Sequence, residues 1–352
     1  MGRTTSAPEQ FLYPALLVRP IRSILVIKPR AIGDVLLSTV VLPNLRAAFP
    51  EAKISFLTEV PAADIIRENP FVDQAIISNP TDKSFLRLLI ELKRSSFDLV
   101  FDLFCNPRTA QMTFATRAPI RVGYPFRGRA WAYNVHVQTR ADRIHNTEFN
   151  LDAISFLDIP IVERRLSFPL PTNRLAQYAE VTKSLRKRTG PLIALNSSGT
   201  WETKRWGLQH FAQLADLLIE RFDANVMLLW GPGEEHDVSA IQKMMHSPCI
   251  IAPPTRIGEL GALLANCDFT ISNDSGPMHI SAAVRTPTLG IFGPTNPYLQ
   301  GPFHDQSSWV RLEGLDCLAC NLTRCSIGNV CMQRLDVETV YNAFVELKEK
   351  RT

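Results

Sequence analysis

Residues 23–50 read "SILVIKPRAIGDVLLSTVVLPNLRAAFP". Residues 24–28 form a short apolar run of strand type, and from about Asp34 to Phe49 apolar side chains recur at helical spacing until Pro50 stops the helix. A strand, a turn carrying Gly33 and a helix, in that order, make the unit of which parallel sheets are built. The unit repeats. "KISFLTE" (53–59) and "QAIIS" (74–78) are strands, "FLRLLIELKRSSF" a helix, and "FDLVFDLF" (97–104) a fourth strand. After the proline-rich "LSFPLPTN" (166–173) the alternation restarts, with strands at "PLIALNS", "ANVMLLWG", "DFTISND" and "PTLGIFG" and helices at "LQHFAQLADLLIERF", "IGELGALLANC" and "MHISAAVR". The pattern predicts an α/β protein of two parallel sheets, each covered on both faces, with ligands at the carboxyl ends of the strands. The expected division is an N-terminal extension (1–20), a first domain (21–172) and a second (173–352).

Composition agrees with two cores. The 352 residues exceed the usual domain length of roughly 100–200. With 45% hydrophobic and 20% charged residues the chain is neither disordered nor fibrous. A net charge of +4, with no run of five lysines or arginines, argues against a dedicated nucleic-acid binder. "FLYPALLV" (11–18) is interrupted by Pro14 and is too short for a signal-peptide core or a membrane span, so a cytoplasmic location is expected. Of the seven cysteines, four crowd between 317 and 331, which is not the layout of a secreted disulfide framework.

Four turns follow strands and carry chemistry. In "NDSGPMHISAAVR" Ser275 and Gly276 form a turn before a helix whose first N–H groups are unpaired, a setting that suits an anion. Gly276 admits a ligand close to the backbone, Ser275 adds a hydroxyl and His279 a donor one turn in; the plainer reading makes Asp274 or Ser275 a helix cap and His279 a core residue. In "LNSSGTWETKRWG" Ser198, Gly199 and Thr200 precede Lys204, which suits a diphosphate without matching the Walker spacing; an exposed loop lysine is the alternative. In "LLWGPGEEHD" Glu234 or Glu235 suits ribose hydroxyls, and the absence of GxGxxG disfavours a nicotinamide cofactor. In "KPRAIGDV" Gly33 makes the turn and Asp34, if it is not merely an N-cap, stands where a carboxylate takes a proton from an attacking hydroxyl. Lys28 and Arg30 beside it suit an acidic acceptor or hold Asp34 ionised.

These segments, with "RVGY" (121–124), "KRWG" and "NDSGPMHISAAVRTPTLGIFGPTNP" in this order, resemble the ADP-heptose:lipopolysaccharide heptosyltransferases of glycosyltransferase family nine over roughly residues 21–345. The resemblance implies a GT-B architecture, two Rossmann-like domains facing across a cleft. It implies Asp34 as general base, Lys204 as the diphosphate-binding lysine, and Asp274, Ser275, Gly276 and His279 as the block holding a nucleotide sugar, with Glu234 or Glu235 near the ribose. Transfer with inversion and without a metal follows from it, to a lipid-linked acceptor at the cytoplasmic face of the inner membrane, by an enzyme that touches the membrane peripherally and is expected to be monomeric. Arg108 and Arg121, within a cluster that includes Arg117, Arg127 and Arg129, are candidate partners for acceptor carboxylates and phosphates, unless they form a solvated basic face. Cys317, Cys320, Cys325 and Cys331 are spaced C-x2-C-x4-C-x5-C, which suits a structural zinc or an iron–sulfur centre, but a local staple or a reduced cluster is the favoured reading and no cofactor is expected. A GT-B relative using another nucleotide sugar, a non-catalytic GT-B protein that binds glycolipid or nucleotide, and a sugar-nucleotide epimerase are the rival readings.

Overall fold

The computed structural model describes residues 20–79, 84–140 and 143–350. The N-terminal extension, apart from Pro20, lies outside the described residues. Strands β1 (Ser23–Ile27), β2 (Lys53–Glu59), β3 (Gln74–Ser78), β4 (Leu99–Asp102), β5 (Ile120–Gly123) and β6 (Val135–His136) form one sheet in the order β3-β2-β1-β4-β5-β6. Strands β7 (Leu192–Asn196), β8 (Asn225–Leu229), β9 (Ile250–Ile251), β10 (Phe269–Asn273), β11 (Thr288–Phe292) and β12 (Ser308–Arg311) form the other in the order β12-β11-β10-β7-β8-β9. Both orders are the same doubly wound one, and every pairing is parallel. The order reverses between β1 and β4 and between β7 and β10, so a crevice opens at those carboxyl ends.

Helices cover both faces of each sheet, which is why the central strands read as unbroken apolar runs: Ile24, Leu25, Val26 and Ile27 are all fully buried. One continuous apolar cluster joins the domains, running from Val26 and Leu36 in the first to Leu263 and Ile280 in the second.

The helix expected over Asp34–Phe49 is two helices, Ile32–Ser38 and Val41–Ala48. Pro43 lacks an N–H and its ring excludes the carbonyl four residues back, so it is tolerated only in the first turn of a new helix. The hydroxyls of Ser38 and Thr39 donate to Val35 O and Leu36 O, each at 2.7 Å, and close the first helix. Strands β5, β6, β9 and β12 are two to four residues long, too short for a period to show in the sequence.

Candidate active site

The turn after β7 ends in a single 3-10 turn, Glu202–Lys204. Lys204 Nζ lies 2.7 Å from Asp274 Oδ2, with the two side chains 14% and 4% exposed. Thr295 Oγ1 donates to the same oxygen at 2.6 Å, and the Trp201 ring sits 4.6 Å from the ammonium. Asp274 therefore does not cap the helix that follows it; its carboxylate fixes the direction of Lys204. Two asparagines that the sequence reading passed over stitch the β7 and β10 turns together. Asn196 Nδ2 donates to Ser272 Oγ at 2.9 Å and to Ser275 Oγ at 2.8 Å, while its Oδ1 accepts from Ser198 Oγ at 2.9 Å. Asn273 Nδ2 donates to Ser197 O at 2.7 Å. Gly199 O accepts from Arg205 Nε at 2.8 Å, and Thr200 is exposed. The signal for the asparagines was in the sequence only as residues ending strands; nothing in the spacing pairs 196 with 275.

The helix Gly276–Ala283 starts at this point with no side-chain cap, and Ser275 Oγ instead donates to Asn273 O at 3.2 Å. Its N-terminus meets the N-terminus of the first-domain helix Ile32–Ser38. A Cβ on Gly276 would stand 3.1 Å from Ile32 Cγ2, and one on Gly33 would stand 2.5 Å from His279 Cδ2. Gly33 thus corrects the expectation that it makes a tight turn: it is the second residue of its helix, outside the positive-φ glycines, and the absent side chain is what lets the domains close. His279 is 6% exposed at this seam. Burial pushes its ring down to about 4, against the fields of Asp274 and Asp34, with the charges of His145 and Lys204 adding to the shift. Its Nδ1 is buried without a protein partner among the described residues. His145, also missed from sequence, crosses the seam: its Nε2 lies 3.0 Å from Gly301 O, and burial lowers its pKa.

Asp34 is half-buried, third in its helix, and its Oδ2 accepts from Ala31 N at 3.3 Å. That bond leaves Oδ1 without a hydrogen bond among the described residues. Arg30 is exposed beside it. Lys28 is not free to meet an acceptor: it is buried, and its Nζ donates to Leu103 O at 2.8 Å. Asp102, fully buried at the end of β4, holds the turn that presents Leu103, accepting from Phe104 N at 3.0 Å, Cys105 N at 2.8 Å and Tyr133 Oη at 2.8 Å. Burial raises its pKa.

Arg108, at the start of the helix Pro107–Ala115, donates to Asn79 O at 3.0 Å and stacks 4.8 Å over the Phe85 ring. Arg121 is the cluster's poorest candidate. Its guanidinium is tied to Ala132 O and Ala118 O, and Ala118 precedes the amino end of β5, the end away from the crevice. Glu234 Oε2 accepts from Gly231 N at 2.8 Å and shapes the turn after β8, whereas Glu235 is exposed on the first turn of the helix Glu235–Met244. The four clustered cysteines are unpaired thiols. Cys331 is buried, which raises its pKa, as do the neighbouring Cys317, Cys320 and Cys325. Among the described residues no group of three or more histidine, cysteine or carboxylate side chains is arranged to hold a metal ion. The segment between them serves the site otherwise: Leu322 O accepts from Thr203 Oγ1 at 2.8 Å, beside Lys204.

With this geometry in place, the sequence pattern of glycosyltransferase family 9 (heptosyltransferase) matches residues 85–331. The chain belongs to that family. A lipooligosaccharide heptosyltransferase 2 of Haemophilus influenzae is 27% identical over 314 residues, 82% of this chain and 88% of the relative. A lipopolysaccharide heptosyltransferase 3 of Escherichia coli is 28% identical over 298 residues, 77% of this chain and 82% of the relative. In fold, the chain matches a family 9 glycosyl transferase of Veillonella parvula with a TM-score of 0.78 at 22% identity, covering 94% of this chain and 97% of the other. It matches the ADP-heptose LPS heptosyltransferase II of E. coli with a TM-score of 0.76 at 20% identity, covering 94% and 99%. The family 9 chain is a glycosyltransferase with the two-domain GT-B fold, as its resemblance implied. No helix among its described residues is long and apolar enough to cross a membrane.

Proposed function

We propose that this family 9 enzyme moves heptose from ADP-heptose to the inner core of lipopolysaccharide, on Kdo or a first heptose, with inversion at the anomeric carbon. The observation that carries this reading is the meeting of two helix starts, Asp34 on one and the buried Lys204–Asp274 pair at the other, with His279 between them. The acceptor oxygen attacks the anomeric carbon from the face opposite ADP, Asp34 takes its proton, and the bond to the diphosphate oxygen breaks with its electrons going to ADP. Lys204 and the N–H groups of Gly276 and Met278 at the uncapped helix start stabilise that charge, so the reading needs no divalent cation. The neutral His279 ring adds a polar edge without adding charge. Arg108 and Arg30 are the acceptor-facing cations the geometry leaves in play; Lys28 and Arg121 act by holding their turns. The acceptor is lipid-linked, and the enzyme works as a monomer at the cytoplasmic face of the inner membrane.

The test incubates the protein with ADP-heptose and heptose-free Kdo-lipid, with and without EDTA, and follows ADP release and acceptor mass beside Asp34→Ala. A heptose-sized gain that survives EDTA and vanishes in the variant supports donor, base and metal independence together. A folded protein that binds ADP but transfers nothing overturns the reading in favour of another donor or acceptor, or of binding alone.

A further inference from the structure

The helix Phe85–Arg94 carries more apolar surface than the first sheet covers. Leu92 is buried and Phe85, Leu88 and the partly buried Leu89 pack on the core, yet Leu86 is 73% exposed and Ile90 50%. Leu86, Leu89, Ile90 and Lys93 follow the i, i+3, i+4, i+7 spacing of a single helical stripe. Facing them across an open groove of about 490 Å³ stand Phe114 and Trp131. Trp131 is 51% exposed, edge-on to Phe114 with ring centroids 5.3 Å apart. Among the described residues the charged side chains lining the groove are Lys93 and Arg117, and no carboxylate lines it. The Arg117 guanidinium lies 4.7 Å over Phe114, which makes apolar floor and cationic rim one surface. The groove ends at Leu86, next to Phe85, the ring on which Arg108 stacks at the start of the helix that follows the carboxyl end of β4.

We propose that this groove docks the enzyme on an anionic phospholipid bilayer. Bare aliphatic side chains, an indole and a purely cationic rim match the three layers such an interface offers: acyl boundary, headgroup plane and surface phosphates. Charge complementarity selects the occupant. The orientation brings Arg108 and the mouth of the crevice toward a membrane-anchored acceptor, and to that extent the proposal rests on the function proposed above.

The test is flotation of the full chain with vesicles of phosphatidylcholine alone, or with roughly one-third phosphatidylglycerol. The expected result is binding to the anionic vesicles only, weakened by salt. Leu86→Asp combined with Ile90→Asp reduces the bound fraction at least about tenfold and Lys93→Glu severalfold, with melting temperature and transfer to an acyl-free acceptor unchanged. Wild-type protein that ignores anionic vesicles, or a double variant that floats like wild type, overturns the proposal. So does ultracentrifugation showing that the double variant separates a wild-type self-assembly while vesicle binding persists, since the groove is then a contact between copies. Vesicle binding lost on substitution, in a protein inactive on every heptose acceptor, supports docking while refuting the heptosyl reading.

Discussion

Asp34 has one oxygen committed to its own helix start and the other without a hydrogen bond among the described residues, so the proposed base keeps an oxygen for a proton while the first one holds the helix. Asp34→Asn keeps the shape and removes the proposed base; kcat is expected to fall by about 10²- to 10⁴-fold with ADP affinity, read by calorimetry, unchanged. Lys204 differs in being held by a buried partner. Lys204→Ala leaves Asp274 with a hydroxyl in place of a cation, so both kcat, by about 10²-fold or more, and stability, by about 3 kcal/mol, should drop. Asp274→Asn keeps the Thr295 contact and tests aim alone: a smaller loss of kcat, with donor KM raised, is expected from steady-state kinetics. His279 sets the acid limit. Its folded pKa of about 4 lies below the ordinary value near 6.5, so the unfolded chain binds the proton first and stability is lost as pH falls between those values. The loss reaches about 3 kcal/mol by pH 4, and His279→Gln should flatten that part of the melting-temperature profile.

At the scale of elements, the decisive contact is between the starts of the helices Ile32–Ser38 and Gly276–Ala283. Each needs a glycine, but unequally: the added carbon meets the His279 ring at 2.5 Å in one case and a movable Ile32 methyl at 3.1 Å in the other. Gly33→Ala should therefore lower the melting temperature and abolish turnover, whereas Gly276→Ala should be the milder change. His279→Ala should restore the lost stability of Gly33→Ala, a coupling that a thermal double-mutant cycle measures. The long strands and helices of these elements were legible because the apolar period runs for five or more residues. The break at Pro43 and the four short strands β5, β6, β9 and β12 were not, since a two-residue strand such as β9 has no period to read. Likewise Asp34, Lys204 and the 274–279 block stood out by their place after strands. Asn196, His145 and Asp102 did not, because their partners lie 25 or more positions away, as Ser275 and Gly301 do, or, for Asp102, are backbone N–H groups that only the folded turn presents.

For the whole molecule, an apolar cluster shared by both domains predicts that they unfold together. A single calorimetric transition is expected, moved upward as a unit by saturating ADP, by about 2.7 kcal/mol at a hundredfold excess over Kd. Two separate transitions would show that the seam is weaker than its packing. The sequence by itself determined the class of fold, the doubling of the βα array, the family and the short list of strand-end residues, because alternation and turn chemistry are local and survive in one dimension. The tertiary structure alone decided which of those residues share a site and which are occupied elsewhere. Lys28 is buried against Leu103 O and Arg121 is tied beside the amino end of β5 by Ala118 O and Ala132 O, whereas Arg108 starts the helix that follows β4, and Gly33 is required by a histidine 246 positions later. Such choices rest on distances between residues far apart in the chain, and these exist only after the two sheets have closed on each other.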